Sequence, residues 1–161
     1  MAVGRRPSKP WGCGSSQRRD TGRAMSQENV EFVRRFFDEF INRDPSLDAS
    51  WRDASDFLDP DFEYREDPGW PGAGAYRGIS AFREVATAYY ETFGEMRLEA
   101  EKILDVDDRI LVLIRFWARG ASGAEAVMHQ AGIFTVRDDR LASWQVVFDR
   151  QEALEAVGLR E

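Results

Sequence analysis

His129 is the only histidine in this 161-residue sequence, and so the only side chain that titrates near neutral pH without help from its surroundings. It stands between Met128 and Gln130, and its parity with Val127, Ala131 and Ile133 predicts a ring turned inward, as a general acid–base or a substrate hydrogen-bonder. A structural histidine, buried on a carbonyl or exposed on a dimer face, fits the same position. Asp149 closes the last apolar run, Trp144 to Phe148, and precedes Arg150-Gln151-Glu152. As a base it needs burial to lift its pKa; as the N-cap of a short final helix, or as a partner of Arg150, it needs only its position. Arg115 and Trp117 share a face with Leu111 and Leu113, opposite Ile110, Val112, Ile114 and Phe116. In a cavity the guanidinium would anchor a carboxylate or enolate oxygen; on the outer sheet surface it would do neither. Tyr64, Trp70, Tyr76, Phe82, Tyr89 and Tyr90 supply aromatic walls suited to a flat apolar ligand, or plain core. The Tyr64 hydroxyl is placed to donate to a developing oxyanion, and Glu66, on the same face, offers a second base or a solvated acid at a loop edge.

The elements that position these groups follow from periodicity. Val30, Val33, Phe37, Phe40 and Ile41 recur at helical spacing with Ser26 as N-cap, and the helix should stop near Arg43, ahead of Asp44-Pro45. Leu47, Trp51, Ala54, Phe57 and Leu58 predict a second helix ending at Asp59-Pro60. Residues 61–67 alternate as a short strand, and the Pro- and Gly-rich residues 68–74 form a loop. Ile79, Phe82, Val85, Ala86, Tyr89, Tyr90 and Phe93 mark a third helix. The period then changes to two, with strands at 97–106, 109–119, 124–136 and 140–148. Short links at Asp107-Asp108, Gly120 to Gly123 and Asp138-Asp139 suit antiparallel hairpins. Helices first and long strands last predict an α+β fold, a curved antiparallel sheet wrapped over three N-terminal helices.

Composition narrows the partners. Of 22 basic and 29 acidic side chains, six basic and one acidic fall in residues 1–24, leaving 16 against 28 and a net charge of −12 for the rest. A body that acidic repels phosphate backbones, which excludes nucleic acid as a partner. Residues 1–25 read as a disordered basic leader or an over-extended start with Met25 the initiator, and residues 26–161 as one domain. The lone Cys13 closes no intrachain disulfide and fits a reducing, cytoplasmic setting. No run approaches the roughly 20 apolar residues of a membrane span. One histidine and no thiolate in the body are too few for a zinc or iron site, and no dinucleotide fingerprint or serine nucleophile motif is present, so no cofactor is implied.

Three segments carry a resemblance: Tyr76-Arg77-Gly78, Ala131 to Asp138, and Trp144 to Leu159. In their order and spacing they resemble the SnoaL-like branch of the nuclear transport factor 2-like superfamily. That resemblance implies a cone whose sheet and helices enclose a pocket, a homodimer, and a small hydrophobic molecule as ligand. It also implies cofactor-independent isomerase, cyclase or dehydratase chemistry, in which Asp149 or Glu66 abstracts a proton next to a carbonyl while Tyr64 or His129 donates to the enolate. A non-catalytic ligand-binding or dimerisation domain is the alternative. Epoxide hydrolysis on the same scaffold would need an Asp-Arg-Asp set, of which Asp149 and Arg115 supply part. Relatives often carry a polar ring where this chain has Gly132.

Overall fold

The computed structural model describes residues 26–159, and the expected leader lies outside the described residues. The first helix, α1, runs over residues 26–35 and continues as a π turn at Phe36–Phe40, closed by Ile41 N–H donating to Phe36 O at 2.9 Å. Adjacent residues of an α-helix point about 100° apart. Phe36, Phe37 and Phe40 fall within one such arc of about 100° together with Val33, Ile41 flanks it, and all five are buried as the helical spacing leads one to expect.

The expected second helix is mostly absent. Only Ala54–Phe57 is helical (α2), and residues 45–53 are turns held by side chains. Asp44 accepts from Ser46 N–H at 2.9 Å and from its hydroxyl at 2.7 Å, while Arg43 donates to Ser50 O at 3.1 Å. Such local bonds compete with a helical ladder. The chain is already extended at Leu58, where β1 (Leu58–Arg65) begins; its register shifts between Leu58 and Glu63, around Pro60, which has no N–H to give. A three-residue strand, β2 (Ala75–Arg77), pairs antiparallel with β1 and precedes α3 (Ile79–Phe93). Gly78 joins them at φ 96°, a conformation that suits glycine.

Strands β3 (Glu95–Val106), β4 (Arg109–Arg119), β5 (Glu125–Arg137) and β6 (Arg140–Val147) form the expected meander, and α4 (Arg150–Ala156) follows. The sheet order is β2-β1-β6-β5-β4-β3, unclosed, with β1 parallel to β6 and every other pair antiparallel. The α+β architecture is as expected, but the described residues form six strands where the periodicity predicts five, β2 being the addition, and four helices, with α4 beyond the three at the N-terminal side.

Both faces of this sheet are apolar, for different reasons. One carries Val112, Ile114, Phe134 and Trp144 and packs on α1, α2 and α3. The other carries Leu111, Ala131, Ile133 and Val147 and is covered by Ala153, Leu154 and Val157 at the α4 end of the chain. Strand parity therefore separates the two faces without saying which one encloses a cavity.

Candidate ligand-binding site

Alternation along β1 turns Phe62, Tyr64 and the following Glu66 toward α3, whose Phe82, Ala86, Tyr89 and Phe93 repeat at helical spacing on one stripe. Tyr64 is buried against Phe82 and Trp144, at centroid distances of 5.0 and 5.2 Å. Its hydroxyl lies 3.3 Å from that of Tyr89, which in turn donates to Glu66 Oε2. Glu66 is the anchor of this chain. Its Oε1 accepts from Gly74 N–H at 3.0 Å and from the Tyr76 hydroxyl at 3.4 Å, while its backbone N–H donates to Gly74 O at 3.0 Å. A carboxylate with donors on both oxygens is tolerated when buried.

The 68–74 loop is thereby folded back over the sheet edge. Asp67 fastens it further, accepting from Gly69 N–H and from Phe148 N–H, each at 2.7 Å. Trp70 then stands edge-on to Tyr89 at 5.9 Å and to Phe148 at 6.3 Å. Between these groups and the sheet lies a cavity of about 190 Å³, walled by Trp70, Tyr89, Phe93, Phe116 and Phe148, with Tyr64, Glu66, Asp67 and Gln130 as its polar residues. A second cavity of about 60 Å³ lies deeper, toward Trp51, Phe82 and Trp144, and shares Tyr64, Tyr89, Phe116 and Gln130 with the first.

Burial above all, with the charge of Glu66 as a further cause, pushes the Tyr64 and Tyr89 phenols well above their ordinary range. Both hydroxyls therefore stay protonated and act as hydrogen-bond donors. Tyr89 spends its proton on Glu66, so Tyr64 is the hydroxyl free to turn either to Tyr89 or to a ligand.

The structure gathers Tyr64, Glu66, Trp70 and Tyr89 around the main cavity. Tyr76 supports Glu66 without lining either cavity, and Phe82 sits in the core beside the deeper one. Four residues expected at the site lie elsewhere. Arg115 pairs with Glu99 at 2.8 Å and Trp117 donates to Glu125 at 2.8 Å, both on the sheet face opposite the cavity. The inward ring read from parity for His129 is corrected: its side chain is 55% exposed on that same outer face, 3.5 Å from Glu101. Ala131 and Ile133 are apolar because α4 covers them, and His129 lies beyond that cover. Glu101 also accepts from Arg150, and that guanidinium above all, with the neighbouring His129 ring, holds its carboxyl below the usual range.

Asp149 is exposed and caps α4, its Oδ1 accepting from Gln151 N–H at 2.9 Å and Glu152 N–H at 3.1 Å. Its partnership with Arg150 is also absent, since that guanidinium donates to Glu101, Gln130 O and Ile114 O. With Arg115 and Asp149 both outside the cavity, the epoxide-hydrolase set is not assembled. Among the described residues, no group of three or more His, Cys, Asp or Glu is placed to hold a metal.

Gln130, Asp67, Phe93, Phe116 and Phe148 line the cavity without having been singled out. For Gln130 a signal existed: it alternates with Met128, Gly132 and Phe134, so an amide stands in an otherwise apolar row. Gly132 has a steric reason to carry no side chain. A Cβ there would lie 2.7 Å from Trp144 Nε1 and 2.8 Å from Phe134 Cε1, so the indole occupies that space.

The fold is shared with known structures. A candidate SnoaL-like polyketide cyclase from Jannaschia sp. CCS1 superposes with a TM-score of 0.62 at 19% identity, over 84% of this chain and 94% of the other. TerC, co-crystallised with polyporic acid, gives 0.59 at 20% identity, over 81% and 98% of the two chains. A protein of ketosteroid isomerase-like fold from Catenulispora acidiphila, in complex with trimethylamine, gives 0.57 at 13%, over 80% and 93%. At such identities the likeness is one of fold. No curated protein matches the chain. The model of the SnoaL-like domain matches residues 33–144, which spans β1 to β5 and most of β6, and on that match the chain belongs to the SnoaL-like domain family.

Proposed function

We propose that this domain binds a small, flat, hydrophobic molecule bearing a carbonyl or hydroxyl group, in the cavity between the sheet, α3 and the 68–74 loop. The observation that carries the reading is the combination of aromatic walls with a protonated Tyr64 hydroxyl backed by Tyr89 and Glu66. Aromatic faces supply apolar area and the phenol fixes orientation. A dry cavity of about 150 Å³ holds one benzene ring, so about 190 Å³ accommodates one ring with substituents, or a compact bicycle. The TerC structure with polyporic acid and the candidate polyketide cyclase support a small-molecule role for this fold. The test is calorimetric titration with a panel of aromatic ketones and phenols, against wild type and Ala118→Trp. Ala118 is buried and lines the cavity, so an indole there should abolish binding. Equal binding by a folded Ala118→Trp protein would sink the proposal.

A second reading, enzymatic, rests on the Glu66–Tyr89–Tyr64 chain, which is arranged to stabilise an enolate oxygen through Tyr64. Proton abstraction next to a carbonyl also needs a base, and both carboxylates lining the cavity have donors on each oxygen. That favours binding over isomerase, cyclase or dehydratase chemistry. Deuterium wash-in at the α-carbon of a bound ketone, lost in Tyr64→Phe, would reverse the order.

We further propose that the domain begins near Ser26 and works in the cytoplasm, where the chain's lone Cys13 would stay reduced. A homodimer is proposed through the outer sheet face, where Val127 is 46% exposed beside the half-buried Trp117. Sedimentation of wild type and Val127→Glu tests it.

A further inference from the structure

Glu66 and Gln130 are the buried polar residues of the described chain, each 7% exposed, and they are satisfied very differently. Glu66 has three protein donors. The Gln130 backbone carbonyl accepts from Arg150 at 3.1 Å, but its side-chain amide has no hydrogen-bond partner among the described residues. Among the described residues, the buried side-chain polar atoms left without any partner are the indole nitrogens of Trp51 and Trp144, not the Gln130 amide, so that amide reaches open cavity space rather than packed core. Gln130 lies opposite Ile114 in the β4–β5 ladder, on the helix-facing side, and lines both the main and the deeper cavity, at their junction with Tyr64, Tyr89 and Phe116. It is therefore an unpaired polar group exposed to the cavities.

We infer that Gln130 is a specificity-determining residue, whose amide reads a planar ligand carrying a hydrogen-bond donor directly beside an acceptor. A primary amide presents one C=O acceptor and an NH₂ donor about 2.3 Å apart, and its full complement is the same pair reversed. A cyclic amide, or a hydroxyl adjacent to a ring carbonyl, supplies that pair on the edge of one ring. A simple ketone or phenol satisfies only half of it. Tyr64, beside Gln130 at the junction, can donate to the second lone pair of the ligand carbonyl. A site built around buried polar groups rejects analogues that leave those groups unpaired.

The inference rests on the proposed small-molecule pocket, and calorimetry with matched probes separates the two. The probes are 2-quinolone against 1-methyl-2-quinolone, which lacks the donor, and tropolone against tropone. Wild type is expected to prefer the donor-bearing member of at least one pair by about tenfold, the worth of one well-made hydrogen bond. Gln130→Leu should abolish that preference while binding the donor-free probe at least as well as wild type does. The pair that shows the effect identifies the cyclic-amide or the hydroxy-ketone form. Binding without preference in wild type, or a preference kept by Gln130→Leu, overturns the role of Gln130 and leaves the pocket standing. No binding of any probe by wild type overturns both. Should Gln130→Leu not fold, as judged by circular dichroism, Gln130→Met carries the same comparison.

Discussion

Replacing Tyr89 by phenylalanine removes one oxygen from the middle of the Glu66–Tyr89–Tyr64 chain and leaves the ring in place. The packing of Tyr89 on Trp70 and Phe93, at centroid distances of 5.9 and 6.4 Å, is kept, so the measured change reports the hydroxyl. Glu66 would retain Gly74 N–H at 3.0 Å and the long contact to Tyr76 at 3.4 Å, but Oε2 would lose its donor. A hydrogen bond to a charged group contributes about 1.5–3 kcal/mol. Tyr89 is only partly buried, which places the expected loss at the lower end, about 1.5 kcal/mol. For a chain of this size that lowers the melting temperature by roughly 3–6 °C. Urea denaturation should show the same loss as a lower midpoint with an unchanged slope. Tyr90→Phe is the internal control, since its hydroxyl donates to the neutral Asn42 carbonyl at 3.1 Å and should contribute about 1 kcal/mol. A Tyr89→Phe loss below about 0.5 kcal/mol, or one smaller than that of Tyr90→Phe, would show that Glu66 is not anchored through Tyr89.

Asp149→Ala should cost about 1 kcal/mol, the worth of an N-cap, and leave ligand binding unchanged; lost binding at unaltered stability would place the carboxylate at the site instead. Gly132→Ala should destabilise by about 1–3 kcal/mol through overpacking against Trp144 and Phe134, read as a lower thermal midpoint; a neutral outcome would mean that the indole is free to move aside. Alkaline unfolding carries a signature of the two raised phenols. Below about pH 10 both are protonated, folded or unfolded; above it the unfolded chain ionises first, so stability falls as pH rises, by up to about 1.4 kcal/mol per pH unit for each. Tyr64→Phe should flatten that slope between pH 10 and 11.5 in urea titrations, and an unchanged slope would contradict its burial.

The sequence by itself determined the order of the long elements and the membership of each face, but not the short α2 and β2. The period of two from Glu95 to Val147 and the helical stripe Phe82, Ala86, Tyr89, Phe93 arise from local geometry, which repeats in the chain as it repeats in space. Asp149 as a cap was likewise legible, because its partners are only two and three residues away. Tertiary structure decided which face holds the site. Ala131 and Ile133 on one side and Phe134 on the other are equally apolar, because α4 covers one face and α1 to α3 the other. Parity therefore pointed His129 inward where the fold turns it outward, and left open the side of Arg115, which the fold also places outside. The same limit hid the anchoring of Glu66 by Tyr89 and the lone amide of Gln130. Tyr89 is 23 residues from Glu66, and Phe148 is 81 from Asp67. Contacts of that span depend on how the sheet and α3 close around a cavity, and no local period in the chain encodes it.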